Sequence, residues 1–436
     1  MSCPFCDTPR RTPVTGPGSA CRTMVTMRRL IGTVLALAVA ASGLVATAAA
    51  PALAAPDPQV DLLLHKRLAN PRLGDDVGMI VIDGATGEVL SAEEPDALML
   101  PASNMKILTA VAILATMGAD GRLTTRVLAA PTTGELVLQG GGDPLLTSAD
   151  LQSMAKAAAA FVPPGTRAVV RVDDDLFPDT GQAPGWTGQY IPYVVAPVQA
   201  LARLGEYSAD PSGNAARAFA KHLRSFGVKA AVGEPVNAEA SWPVVAESAS
   251  TVGEAVDRML STSENNVAEV LFRQVAVYLG IEPTWAGARQ AVEQALAGLG
   301  LDASAMRIRD GSGLSRSDRL SPRFLADVLR VARVVRPGAF GGMFDPEALP
   351  VSGQTGTLHT AYGRYVTKQS RCARGDVRAK TGSLFDTIAL SGIAAAKAGG
   401  ERIFAILVND RPQRYSALST RQAVDGLTAT ITGCWD

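Results

Sequence analysis

Two hydrophobic periodicities alternate along this chain, and they divide it into blocks. Leu62–Leu68 predicts a short helix. Val77–Asp83 and Glu88–Ala92 flank Gly84-Ala85-Thr86-Gly87 and predict a β-hairpin. Their alternation is modest, as in strands covered on both faces. From Ser103 to about Met117 the apolar residues Ile107, Leu108, Val111, Ala112, Ile113 and Leu114 occupy every side of a helix. A helix that is apolar all round is buried, and a buried helix is a rigid mount for a reactive side chain. From about Arg122 the texture changes. Short strand-like runs (Val127–Ala130, Glu135–Gln139, Ala168–Val172) alternate with Gly, Pro and Asp clusters, so residues 122–236 read as an inserted, β-rich unit. Helical spacing marks Asn214–Phe226, Val252–Leu260, Val267–Leu279, 286–299 and 321–334. Thr387–Ala395 and Ile403–Val408 form a second hairpin about Gly399-Gly400, and Ser416–Thr430 a last helix. Strands at both ends around central helices predict one antiparallel sheet closed by the two termini, an α+β arrangement.

Composition narrows the class. The chain has 436 residues, 47% hydrophobic and 19% charged, enough for two or three globular domains. Its formal net charge is zero, which gives no footprint for nucleic acid. Arg28-Arg29, the apolar run Leu30–Val45 and the end Ala52-Leu53-Ala54 form an export signal over 27–54 with an A-x-A cleavage pattern. The uncharged stretch is also long enough to serve as an anchor if it stays attached. Residues 1–26 fit no signal and read as an upstream extension, with Met24 or Met27 as the start. Cys3-x-x-Cys6 has no second half of a zinc site after it. The segment 1–54 holds five Arg and one Asp, so the mature chain carries 36 basic and 40 acidic residues. It keeps two cysteines, Cys372 and Cys434, and an even count in an exported protein favours a disulfide; two free thiols are the alternative.

The candidate chemistry starts at Pro101–Thr109. Ser103 and Lys106 stand three apart, and positions i and i+3 share a helix face. An amine can thus sit beside a hydroxyl and activate it without a histidine. Alone, S-x-x-K is a weak pattern. Ser263-Glu264-Asn265 follows in a turn between two helices, where its plain reading is capping of the next helix. Lys380-Thr381-Gly382-Ser383 comes last, at the edge of a strand. Gly382 permits close approach to the backbone, and a lysine beside hydroxyls suits a carboxylate-bearing substrate. His65, His222 and His359 form no triad. Asp173-Asp174-Asp175 reads as a solvated turn, and Asp310 as a turn residue or a border of the site.

The ordered set S-x-x-K, S-x-N, K-T-G is that of serine β-lactamases and penicillin-binding proteins. Pro101–Lys106, Gly141-Gly142-Asp143-Pro144, Asp310–Ser315, Leu320-Ser321 and Gly356-Thr357-Leu358 give a closer match. On these residues the chain resembles the class C low-molecular-weight penicillin-binding proteins, the D-alanyl-D-alanine carboxypeptidase/endopeptidases of peptidase family S13. The resemblance implies a β-lactamase/transpeptidase-like fold, an antiparallel sheet with helices on both faces and a helical lobe. Residues 55–121 and 237–436 would form this domain, with 122–236 inserted. The Ser103-to-Ser263 interval is shorter than in three-domain members, so one inserted domain is expected.

The resemblance also implies roles. Ser103 would attack the carbonyl of the penultimate D-alanine and Lys106 would take its proton, with the charge of Lys380 helping to keep that amine neutral. Ser263 would pass the proton to the leaving amine, and Asn265 would hold Lys106 and the substrate amide. Lys380 and Thr381 would bind the terminal carboxylate across Gly382. The N–H groups of Ser103 and Ser383 would form the oxyanion hole. Peptidoglycan stem peptides and β-lactams are the implied partners, with no metal or organic cofactor. Two rivals share the nucleophile or the fold. A class A β-lactamase needs an E-x-x-L-N segment between Ser263 and Lys380, which is absent, and a class C β-lactamase has Tyr where Ser263 stands. An inactive cell-wall-binding scaffold is the other, and it would not need all these residue types.

Overall fold

The computed structural model describes residues 58–434. The upstream extension and export signal lie outside the described residues. The chain begins with helix α1 (Pro58–Leu68) and the hairpin β1 (Val77–Asp83)–β2 (Val89–Glu93). A single 3-10 turn, Ala102–Asn104, leads into α2 (Met105–Met117). Then come β3 (Arg122–Ala129), β4 (Glu135–Gly140), α3 (Ser148–Ala159), β5 (Ala168–Asp173), α4 (Pro211–Ser225), β6 (Ala230–Val232) and β7 (Val244–Thr251). A helical stretch follows: α5 (Val252–Thr262), α6 (Asn265–Tyr278), α7 (Trp285–Ala297), α8 (Pro322–Arg330) and the short α9 (Pro337–Phe340). β8 (Val377–Ser383), β9 (Ile388–Ala395), β10 (Glu401–Val408) and α10 (Ala417–Ile431) complete the fold.

The first sheet has the order β2-β1-β10-β9-β8 and is antiparallel throughout. N-terminal and C-terminal strands thus meet at β1–β10, as the sequence predicts. Its strands alternate between two cores. Ile403, Ala405 and Leu407 of β10 enter the core shared with α2 and α5–α8, whereas Phe404, Ile406 and Val408 enter the one under α1 and α10. Helices on both faces explain the weak apolar/polar alternation of these strands. Ile107, Leu108, Val111 and Ile113 of α2 are fully buried, each contributing about 1.5–3 kcal/mol relative to exposure.

The second sheet has the order β6-β5-β4-β3-β7. β3 pairs antiparallel with β4 and β7, while β4–β5 and β5–β6 are parallel. Parallel neighbours need crossovers, and α3 and α4 supply them. The inserted unit is therefore mixed α/β and not simply strand-rich. It also runs past Val236. Arg122 pairs with Thr251, so the chain leaves and re-enters this unit side by side. Thr251 then caps α5 in a capping box with Glu254, which fixes the return point. The division at 236 falls short because β7 is made of small and polar residues that give no clear period.

Cys372 and Cys434 are joined as a disulfide across 62 residues. It ties the segment that feeds β8 to the end of α10.

Candidate active site

The site is built where α2 meets β8. Ala102 adopts φ +46°, a left-handed conformation costly for a residue with a Cβ, immediately before Ser103. The turn lifts Ser103 into partial exposure while Lys106 is fully buried. Gly313 locks this turn from behind: a Cβ there would stand 1.8 Å from Ala102 O. Thr109, one turn on, donates to Gly311 O at 2.8 Å and holds α2 to the same loop.

Lys106 Nζ has three partners. It lies 3.0 Å from Ser103 Oγ, 2.9 Å from Asn265 Oδ1 and 2.8 Å from Ser312 O. Burial drives its pKa down to about 8, and the charges of Glu269, Asp310 and Glu264 resist that fall. Glu269, on α6, is itself buried and accepts from Gly311 N and Ser312 N at 2.8 and 2.9 Å. Its pKa is pushed up to about 8, by burial first and by Asp310 second. Glu269 thus orients the loop whose carbonyl receives Lys106. Asp310 accepts from Gly313 N, Ser315 N and Trp186 Nε1, each at 2.7 Å, so it shapes the turn and is buried, not lining the cleft.

Ser263 and Asn265 enter from the α5–α6 junction. Ser263 is the left-handed C-cap of α5, φ +63°, and so faces the cleft; Glu264, not Ser263, is the N-cap of α6. Asn265 Nδ2 donates to Val194 O at 2.9 Å, which turns Oδ1 toward Lys106.

β8 forms the opposite wall. Lys380 is fully buried, with Nζ donating to Thr381 O at 2.9 Å. Burial, then repulsion from Lys106, pushes its pKa well below the usual lysine range. The expected help of Lys380 to Lys106 is not the leading cause: desolvation by burial is what chiefly lowers Lys106. Thr381 Oγ1 lies 2.8 Å from Thr357 Oγ1, and Ser383 is exposed at the strand end. Gly382 serves packing: a Cβ there would come within 3.0 Å of Pro101 O, Asn104 Nδ2 and the Ala389 Cβ. A side chain at 382 would push β8 away from the Ser103 turn.

Ser103, Ser263, Asn265, Thr381 and Ser383 line one cleft of about 340 Å³, with Lys106 and Lys380 buried beneath it. None of the three histidines lines it. Sequence reasoning missed three contributors. Ser312 acts through its backbone carbonyl, which no side-chain pattern reveals. Segment 174–208, between β5 and α4, brings Trp186 to Asp310, Val194 to Asn265, and Ala196 N to Asn266 Oδ1. Its length without regular structure was the available signal, since long loops in compact units are commonly functional. Arg421, on α10, lines the cleft and donates to Ser383 Oγ at 3.1 Å.

Comparison with known proteins places the chain in a family. The profile of the D-Ala-D-Ala carboxypeptidase 3 (S13) family matches residues 61–204 and 197–431. The chain belongs to the S13 family. It is 32% identical over 397 residues to carboxypeptidase DacB of Mycolicibacterium smegmatis, covering 85% of this chain and 83% of that one. It is 28% identical to the D-alanyl-D-alanine carboxypeptidase of Actinomadura sp., over 98% and 93% of the two chains. Penicillin binding protein 4 from Haemophilus influenzae superposes with a TM-score of 0.74 over 85% of this chain and 99% of that structure, at 19% identity, which shows the shared fold. This S13 chain therefore carries its two sheets in the arrangement of a penicillin-binding protein.

Proposed function

We propose that this S13 protein is a serine-type D-Ala-D-Ala carboxypeptidase that cleaves peptidoglycan stem peptides through an acyl-enzyme on Ser103. One observation carries the assignment of roles. Apart from Ser103, both partners of Lys106 Nζ are pure acceptors, the carbonyls of Asn265 and Ser312. A neutral amine has two hydrogens and one lone pair. With both hydrogens given to the carbonyls, the lone pair faces Ser103 Oγ, the orientation a general base requires. A pKa of about 8 leaves roughly one lysine in ten neutral at pH 7.

The steps follow. Ser103 Oγ bonds to the carbonyl carbon of the penultimate D-alanine as its proton moves to Lys106 Nζ. The oxyanion takes hydrogen bonds from the N–H groups of Ser103 and Ser383. The C–N bond breaks, and the leaving amine receives a proton by way of Ser263. Water, deprotonated by Lys106, then hydrolyses the ester and frees Ser103. Asn265 holds Lys106, and Thr381 and Ser383 offer hydroxyls to the substrate's carboxylate end. Lys380, buried beneath that wall, acts on its electrostatics. β-Lactams enter the same cleft as substrate analogues and stall at the ester. The same bond chemistry serves a D-Ala-terminated cross-bridge, which gives endopeptidase action. The substrate lies outside the cytoplasmic membrane, in keeping with export by the signal at 27–54.

The test uses the mature protein and Ser103→Ala with defined muropeptides, scored by mass spectrometry for D-alanine release and cross-bridge cleavage. Wild type is expected to release D-alanine and Ser103→Ala to release none; activity surviving in Ser103→Ala refutes the mechanism. Benzylpenicillin is expected to leave a long-lived adduct on Ser103, and rapid turnover would point to a β-lactamase.

A further inference from the structure

A peptidase that removes a C-terminal D-alanine must meet a carboxylate, and a buried carboxylate needs a cation or several donors. Among the described residues lining the cleft, the cationic side chains are Arg364 and Arg421. Lys380 is fully buried and spends a hydrogen on Thr381 O. Arg364 is also committed: its guanidinium grips both oxygens of Asp425, which additionally accept from Tyr365 N. Asp425 is four residues after Arg421 on α10, the natural partner for it by helix spacing. Arg364 has taken that carboxylate. Arg421 is left half-buried among cations, donating to the neutral Ser383 hydroxyl at 3.1 Å. Ser383 Oγ donates in turn to Gly382 O at 2.8 Å. Burial and the nearby Arg364 and Arg411 act against the charge on Arg421, and Asp425, held by Arg364, offsets only the smallest part of this. An anion arriving at Ser383 would relieve that penalty.

We infer that Arg421 is the cation that binds the substrate's terminal carboxylate, at the Thr381–Ser383 end of the cleft. The inference rests on the carboxypeptidase reading above and deepens it. Planar guanidinium and carboxylate match in a two-point contact that a lysine ammonium does not reproduce. Arg421 is therefore a specificity-determining residue that favours peptides with a free C-terminus, and Lys380 serves the site from beneath.

The experiment compares an N-acylated L-Lys-D-Ala-D-Ala tripeptide with the same peptide carrying a C-terminal amide. kcat/KM is measured for wild type, Arg421→Met and Arg421→Lys, with thermal unfolding as a check on the fold. Arg421→Met is expected to lose about 30- to 100-fold on the free acid and less than about threefold on the amide, the range of a lost charge-assisted contact. Arg421→Lys keeps a charge on a flexible stem and is expected to lose about tenfold on the acid alone. Equal losses on both peptides would mean a structural role and overturn the inference, as would no loss on the acid. If Arg421→Met does not fold, the Arg421→Lys comparison decides by the same criterion. Wild type that cleaves neither peptide would overturn the carboxypeptidase reading itself, a result distinct from a failure of Arg421 to discriminate.

Discussion

Each wall of the cleft holds a buried lysine, and the two are held in opposite ways. Lys106 on α2 has three oxygen partners and three carboxylates in its field, Glu269, Asp310 and Glu264. Lys380 on β8 has Thr381 O as an acceptor and the amine of Lys106 as its charged neighbour. Desolvation is the leading cause of the fall for both. The carboxylates act against it for Lys106, whose pKa is lowered to about 8, whereas Lys380 is driven well below the lysine range. Burial lowers a lysine's pKa; carboxylates beside a buried lysine hold part of that fall back and poise it for proton transfer.

The largest test of this contrast is to remove each amine. Lys106→Met is expected to lower acylation by benzylpenicillin at least about 10³-fold with the fold intact, because Ser103 loses its base. Lys380→Met, which keeps a similar volume but removes an amine that touches no reacting atom, is expected to cost about 10²-fold or less. Stopped-flow labelling compares them, and equal losses would break the distinction between the walls. The Cys372–Cys434 bridge probes what holds the β8 wall. Replacing both cysteines by serine is expected to destabilise the chain by about 4 kcal/mol in denaturant titration, from the 62-residue separation. It should leave the pH dependence of the remaining folded enzyme unchanged.

Smaller effects sharpen the contrast. kcat/KM is expected to rise with pH through about 8, because Lys106 works only when deprotonated. Glu269→Gln removes a group that favours the ammonium once it is ionised, so the rising limb should move to lower pH. A limb that moves up would show that Glu269 does not act on Lys106 through charge. Trp186→Phe deletes the indole donor to Asp310 but keeps most of the ring. It is expected to cost about 1–3 kcal/mol of stability, the cost of leaving a buried acceptor short of a donor, with a modest loss of kcat.

The catalytic pattern was legible because local spacing fixes it. Ser103 in the 3-10 turn and Lys106 at the start of α2 stand three apart and meet on one face, and strand alternation sets which of Lys380, Thr381 and Ser383 point the same way. The inserted unit was less legible. The alanines of α3 and the small polar residues of β7 carry little periodic signal, so α3 was not foreseen and the block ended before β7. The Ser263 turn was found, but its left-handed backbone was not foreseen, because a serine does not announce a positive φ.

Sequence by itself determined the reactive residue types, their order, the two-faced burial of the terminal strands, and the cysteine pair. Only tertiary structure decided their states. Whether a lysine is a base or a surface cation depends on how much water reaches it and which carboxylates surround it. Those carboxylates come from α6, the α5–α6 junction and the loop 310–315, remote in the chain. The same holds for Arg421, whose own helix supplies Asp425 and whose neighbour Arg364 takes that carboxylate away. Spacing along one helix predicts the pair; competition across the fold decides which arginine is left for the substrate.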